Sequence, residues 1–189
     1  MIWLLLSLWL ASGGDGPEGP SLREDDKQIT DFDGRPVDPF VGDARATVLA
    51  FIEADCPISN RYAPELNRLH AEYSGRGVTF WLVYPGPEDV AVLRAHHREY
   101  GLSAPALRDP EYRLVDRAGI TIAPEAAVFT ADRRLVYRGR LDDRAVNLTV
   151  WRSTPRDRDL ALALDGVLAG TARRLVTTQA VGCYIKPLQ

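Results

Sequence analysis

An α/β domain with a mixed central sheet and helices on both faces is the fold class that the order of apolar patterns predicts. Three observations carry it. The runs Thr47 to Ile52 and Val78 to Tyr84 are nearly continuous in apolar, β-branched and aromatic residues, as strands covered on both faces require. Between them lies an amphipathic helical repeat, and after them two further apolar runs are joined by only four residues, three of them charged. The resulting order is βαβα followed by ββα. With 189 residues, 46% of them hydrophobic and 26% charged, the chain suits one globular domain of about 150 to 170 residues plus its ends.

Each element has its own local reason. Ile58, Tyr62, Leu66, Leu69 and Tyr73 recur at spacings of three and four, while Arg61, Glu65, Arg68 and Glu72 occupy another face, which gives an amphipathic helix with an ion-pair ladder. Pro64 lies inside it and should kink it. After Pro85-Gly86-Pro87 a second helix carries Val90, Leu93, His97 and Tyr100 on one face, and Gly101 is placed to stop it. A short strand near Ala106-Leu107 precedes a short helix over Glu111 to Ala118, opened by Asp109-Pro110 as cap and first-turn proline. Ala126 to Thr130 and Leu135 to Gly139, joined by Ala131-Asp132-Arg133-Arg134, read as a hairpin. Thr154-Pro155 with Asp157 announces the last helix, which runs through Leu160, Leu164, Val167 and Leu168 to Gly170.

The ends read differently from the middle. Residues 1–13 form an apolar stretch that closes in small residues, which suits a signal-peptide core and is too short to span a bilayer, although no Lys or Arg precedes it. Residues 14–25 are rich in Gly and Pro and read as a flexible linker, so the folded domain is expected over 26–189. Export would place the chain in the periplasm or an equivalent extracytoplasmic space, where disulfides persist, with no stable membrane span once the leader is removed. A net charge of −3 and scattered arginines speak against a nucleic-acid partner.

The chemistry centres on Cys56, set between an apolar run and a helix-like run in Asp55-Cys56-Pro57-Ile58-Ser59-Asn60. A thiolate at a helix N-terminus faces unpaired N–H groups and the positive end of the helix dipole, which lower its pKa toward the range where it attacks at neutral pH. Pro57 at the first turn sacrifices no useful donor, and Ser59 could donate a hydrogen bond to the thiolate, whereas Asp55 opposes activation. Set against this is Cys56 as a buried, inert cysteine. The second cysteine, Cys183, has three readings: a resolving cysteine that attacks a Cys56 sulfenic acid or mixed disulfide, one end of a static bridge, or a residue that never meets Cys56.

The stretch Cys56 to Leu66 resembles the active-site helix of thioredoxin-like proteins, with Cys56 at the first cysteine, Ser59 where a second would stand and Pro64 at the helix-kinking proline. Gly119 to Phe129 resembles the segment that carries the cis-proline of that fold, which makes Pro124 the candidate to pack beside the thiol and shape a substrate groove with Pro57 and Ser59. Within the superfamily the chain is most similar to the redoxin branch, the alkyl hydroperoxide reductase and thiol-specific antioxidant relatives, and shares Asp55-Cys56-Pro57 and the tail Val181-Gly182-Cys183-Tyr184-Ile185 with a subgroup. The resemblance implies a thiol oxidoreductase without a cofactor, acting on a protein disulfide or a small peroxide, with Cys56 attacking and Cys183 resolving. It also implies settings beside haem or copper redox proteins. The same scaffold would also serve as a non-catalytic binding or assembly module with a static Cys56–Cys183 bridge. The chain departs from both named chemistries, since it lacks the second cysteine of Cys-x-x-Cys enzymes and has Glu53 where peroxiredoxins carry Thr.

Other polar residues promise less. His70 lies about 20 Å along the helix from Cys56 at roughly 1.5 Å per residue, a poor fellow ligand. His96 and His97 are adjacent and point to different helix faces, one exposed and one packed. A metal site would need Cys56, Cys183 and a further ligand, and none is expected. Asp142, Asp143 and Glu111 read as solvated loop or cap carboxylates, Asn147-Leu148-Thr149 as a chance glycosylation match, Trp81 and Trp151 as packing residues, and Arg138-Gly139-Arg140 as an exposed sheet edge.

Overall fold

The computed structural model describes residues 29–185, so the leader expected over 1–13, the linker expected over 14–25 and the last four residues lie outside the described part. Seven strands form one mixed sheet in the order β1-β4-β3-β2-β6-β7-β8. Its centre is β2 (Ala46–Phe51), buried along its whole length, parallel to β3 (Val78–Pro85) and antiparallel to β6 (Glu125–Thr130). β4 (Ala106–Asp109) lies parallel beside β3, with β1 (Thr30–Asp31) antiparallel at that edge. β7 (Leu135–Gly139) forms the expected hairpin with β6. It is not the sheet edge, because β8 (Val176–Thr177) pairs with Tyr137 and Arg138 and covers it.

Alternation along β2 explains the two-sided core. Ala46, Val48 and Ala50 face α2 (Ala63–Ser74), α3 (Val90–Glu99) and α5 (Asp159–Leu168), contributing to a cluster with Leu66, Leu69, Leu93, Leu160 and Leu164. Leu49 and Phe51 point the other way, into a cluster with Phe40, Leu107, Phe129 and Leu114 of α4 (Arg113–Ala118). Burial on both faces is why the strand carries no polar alternation.

Several helix boundaries differ from expectation for identifiable reasons. The first helix is not one kinked rod: α1 (Pro57–Arg61) ends at Tyr62 and α2 restarts at Ala63. Pro64 has no N–H to offer the Asn60 carbonyl one turn back, and its ring crowds that carbonyl, so the break falls before the proline. α4 begins at Arg113 rather than Glu111, yet Asp109 does cap it: its Oδ2 accepts 3.0 Å bonds from the N–H groups of both Leu114 and Val115. α5 begins at Asp159, not after Thr154-Pro155, because the N–H groups of Arg156 and Asp157 donate to Asp143 Oδ1 and keep that turn outside the helix. Asp142 and Asp143 are therefore buried partners, not solvated carboxylates.

Candidate active site

The site is assembled where β2 ends. After Ile52 the chain turns through Glu53, Ala54 and Asp55, and Cys56 takes the extended N-cap position of α1 with Pro57 in the first turn. Its side chain caps none of the α1 N–H groups, because the sulfur is joined to Cys183 in a disulfide that links positions 127 residues apart, with Cα atoms separated by 6.0 Å. That separation lies within the range a disulfide spans.

Cys183 is held by a small second sheet. β5 (Ile122–Ala123) pairs antiparallel with β9 (Cys183–Tyr184), Ala123 opposite Cys183 and Ile122 opposite Tyr184, and the Ile185 N–H donates to the Thr121 carbonyl at 3.1 Å. The same β5 leads into a cis Ala123–Pro124 peptide. Gly182 makes this pairing fit, because a Cβ there would collide with the Ala123 backbone carbonyl. The Ala123 carbonyl oxygen also lies 3.3 Å from Cys56 Sγ. When the bridge opens, a thiol at that position has an acceptor, whereas a thiolate would face a carbonyl dipole of unfavourable sign.

Cys56 is 1% exposed and belongs to the core cluster, whereas Cys183 is partly exposed at its margin. Beside them opens a cleft of about 930 Å³ lined by the 52–55 loop, the end of β3 with Gly86, Pro87 and Glu88, the near face of α3, Tyr112, Cys183 and Tyr184. Of the residues expected to shape a substrate groove, none lines this cleft. Pro57 is exposed beyond it, Pro124 is buried, and the buried Ser59 accepts a 3.4 Å bond from the Glu53 N–H instead of donating to the sulfur.

Two polar networks fix the loop and helix around Cys56, and the sequence reading found neither. His96, buried in the cleft wall, bonds through Nε2 to Asn60 Oδ1 at 2.8 Å and through Nδ1 to the Tyr84 hydroxyl at 2.9 Å, while Asn60 Nδ2 donates to the Ala54 carbonyl at 3.3 Å. Burial lowers the His96 pKa, with the His97 charge adding to the effect, and a neutral ring meets both partners. His97, expected on the packed face, is the less buried of the two and rests edge-on against Phe32. His70 bonds to Ser103 at 3.1 Å instead of approaching Cys56.

On the other side, the Tyr62 hydroxyl donates to Asp142 Oδ1 at 2.7 Å, Arg144 binds Asp142 at 2.6 Å and Glu65 at 3.0 Å, and Arg68 adds a 2.7 Å contact to Glu65. Burial, then the bond to Asp142, raises the Tyr62 pKa. Trp151 packs on Tyr62 at 4.7 Å, with the Arg61 guanidinium over its indole. The joint between α1 and α2 is thus tied to the 142–152 loop. Only adjacency across the fold reveals this, since Tyr62 and Asp142 are 80 positions apart.

Among the described residues no three His, Cys, Asp or Glu side chains converge to hold a metal ion, and no helix is long and apolar enough to cross a membrane.

No curated protein matches this chain. Among solved structures, an uncharacterized conserved protein from Geobacillus kaustophilus is 27% identical with a TM-score of 0.70, the match covering 84% of this chain and 86% of that one. A hypothetical protein from Sinorhizobium meliloti 1021, also 27% identical, matches with a TM-score of 0.63 over 77% of this chain and 81% of its own. A secreted Mycobacterium tuberculosis disulfide oxidoreductase homologous to E. coli DsbE is 21% identical with a TM-score of 0.52, over 79% of this chain and 99% of its own. The fold is thioredoxin-like. The model of the AhpC/TSA family matches residues 25–138, a segment that holds Cys56, the cleft loops and the cis-proline but stops short of Cys183. Covering more than half of the chain, that match shows that this protein belongs to the AhpC/TSA family.

Proposed function

We propose that this protein is a thiol–disulfide oxidoreductase acting outside the cytoplasm, with Cys56 and Cys183 as its redox couple. One observation carries the reading: the tail brings the second cysteine of the chain onto the first, at the margin of a cleft large enough to take a peptide segment. In the exchange, a substrate dithiol gives two electrons to the bridge and leaves as a disulfide, and the protein leaves as a dithiol.

Peroxide reduction is the less favoured chemistry. It asks for a thiolate kept anionic by cations or N–H donors. Cys56 has the Ala123 carbonyl as its neighbour, and the cleft lining contains Glu53, Asp55, Glu88 and Glu99 but no Lys or Arg. The extracytoplasmic location rests on the apolar stretch at residues 1–13 and on a bridge that a reducing compartment would open, and it agrees with the secreted M. tuberculosis structure. Nothing in the cleft singles out a haem or copper partner.

The test is stoichiometric oxidation of a reduced dithiol peptide. The parent should convert it to the disulfide and gain two thiols, and Cys56→Ser and Cys183→Ser should each fall to the uncatalysed rate. Variants that match the parent would refute the role of these thiols.

A further inference from the structure

Resting on the proposal that the bridge exchanges with substrate, we infer that the sulfur which meets the substrate is Cys183, and that Cys56 is the leaving and resolving sulfur. This reverses the division of labour that the resemblance implies.

Exchange at a disulfide proceeds by displacement roughly along the S–S axis, so the reacting sulfur must be open on the side away from its partner. Cys56 is closed on all sides. It is 1% exposed, packed in the core cluster, with the Ala123 carbonyl oxygen 3.3 Å from its sulfur. Cys183 lines the cleft and is partly exposed, and the next residue, Tyr184, is 78% exposed at the rim. Cys183 is also set on a two-residue strand that, among the described residues, pairs with β5 alone, whereas Cys56 is anchored through α1 and the His96–Asn60–Ala54 bonds. After the bridge opens, the lightly held end can carry a substrate adduct and the firmly held end stays in place.

A substrate thiol gives up its proton, and its thiolate attacks Cys183 Sγ. A substrate–Cys183 bond forms, the Cys183–Cys56 bond breaks, and the electron pair departs on Cys56. That sulfur takes up the proton and, as a thiol, has the Ala123 carbonyl oxygen as its acceptor. A second substrate thiolate then attacks the substrate sulfur of the mixed disulfide and expels Cys183 as a thiolate, which is protonated from solvent. The substrate is oxidised by two electrons and the pair is reduced by two. In the reverse direction the first nucleophile is Cys183, and Cys56 resolves.

The test uses the parent protein, oxidised, with reduced glutathione as the attacking thiol. Samples are quenched in acid at the earliest times, free thiols are alkylated, and the peptides holding Cys56 and Cys183 are mapped by mass spectrometry. The expected early adduct is glutathione on Cys183 with Cys56 alkylated, in roughly tenfold or greater excess over the reverse. Glutathione on Cys56 in equal or greater amount overturns the assignment and leaves the exchange function standing. A bridge that glutathione never opens overturns both.

Discussion

Gly182 carries more of the site than its size suggests. It lies against the Ala123 carbonyl, the group that also neighbours Cys56 Sγ, so one close backbone approach sets both the docking of the tail and the surroundings of the buried sulfur. Gly182→Ala must push β9 away from β5, since the obstacle is backbone and cannot rotate aside. The expected result is slower closure of the Cys56–Cys183 bridge in reduced protein, followed by timed alkylation, with unchanged far-ultraviolet circular dichroism because the seven-stranded sheet is untouched. Closure at the parental rate would mean that β5–β9 pairing does not position Cys183. At this scale the sequence is uneven in what it discloses. Cys56 stands out because a strand-to-helix junction has a local signature, and Pro124 because its segment resembles the one that carries the cis-proline of the fold. Gly182 does not, because its necessity comes from a carbonyl 59 positions away that no periodicity reveals.

Among the elements, the junction of β4 with α4 holds a buried carboxylate that the site does not use. Asp109 is fully buried, and burial pushes its pKa up from 3.8 to about 6 against the bonds it accepts from the first turn of α4. The folded state therefore holds a proton that the unfolded chain releases. This contribution to stability is complete below pH 3.8 and is lost as the pH rises through about 6. At about 1.4 kcal/mol per pH unit the loss is on the order of 3 kcal/mol. Asp109→Asn keeps an oxygen for the Leu114 and Val115 N–H groups and cannot ionise. Urea unfolding of the oxidised protein at pH 4 and 7 should show the parent losing stability relative to the variant as the pH rises. Parallel behaviour would contradict a neutral Asp109. The pattern-based elements were legible for the same reason throughout: β2, β3, the hairpin and α2 announce themselves by runs and spacing. The starts of α4 and α5 were displaced because Asp109 and Asp143 bind N–H groups from outside the helix, so the local cap signal at Thr154-Pro155 competes with a nonlocal one.

For the whole molecule, the bridge joins the end of the first central strand to the tail and encloses most of the described domain. On the chain-entropy model a loop of that size is worth at most about 5 kcal/mol. Stabilisation alone would account for such a bridge, and so would a redox couple. The order of elements was readable from periodicity along the chain, whereas the Cys56–Cys183 pairing was legible only as one of the readings of Cys183 and through the resemblance, because Cys183 lies outside every periodic segment and is brought to Cys56 by two short strands with no apolar run. The distinction between couple and staple is thermodynamic. Equilibration of the intact protein in glutathione buffers of graded potential, with thiols counted by alkylation, decides it. A couple should titrate reversibly with a midpoint between about −270 and −120 mV, the span of known exchange enzymes, whereas a bridge still closed below about −300 mV would be a structural staple and would contradict the proposed function.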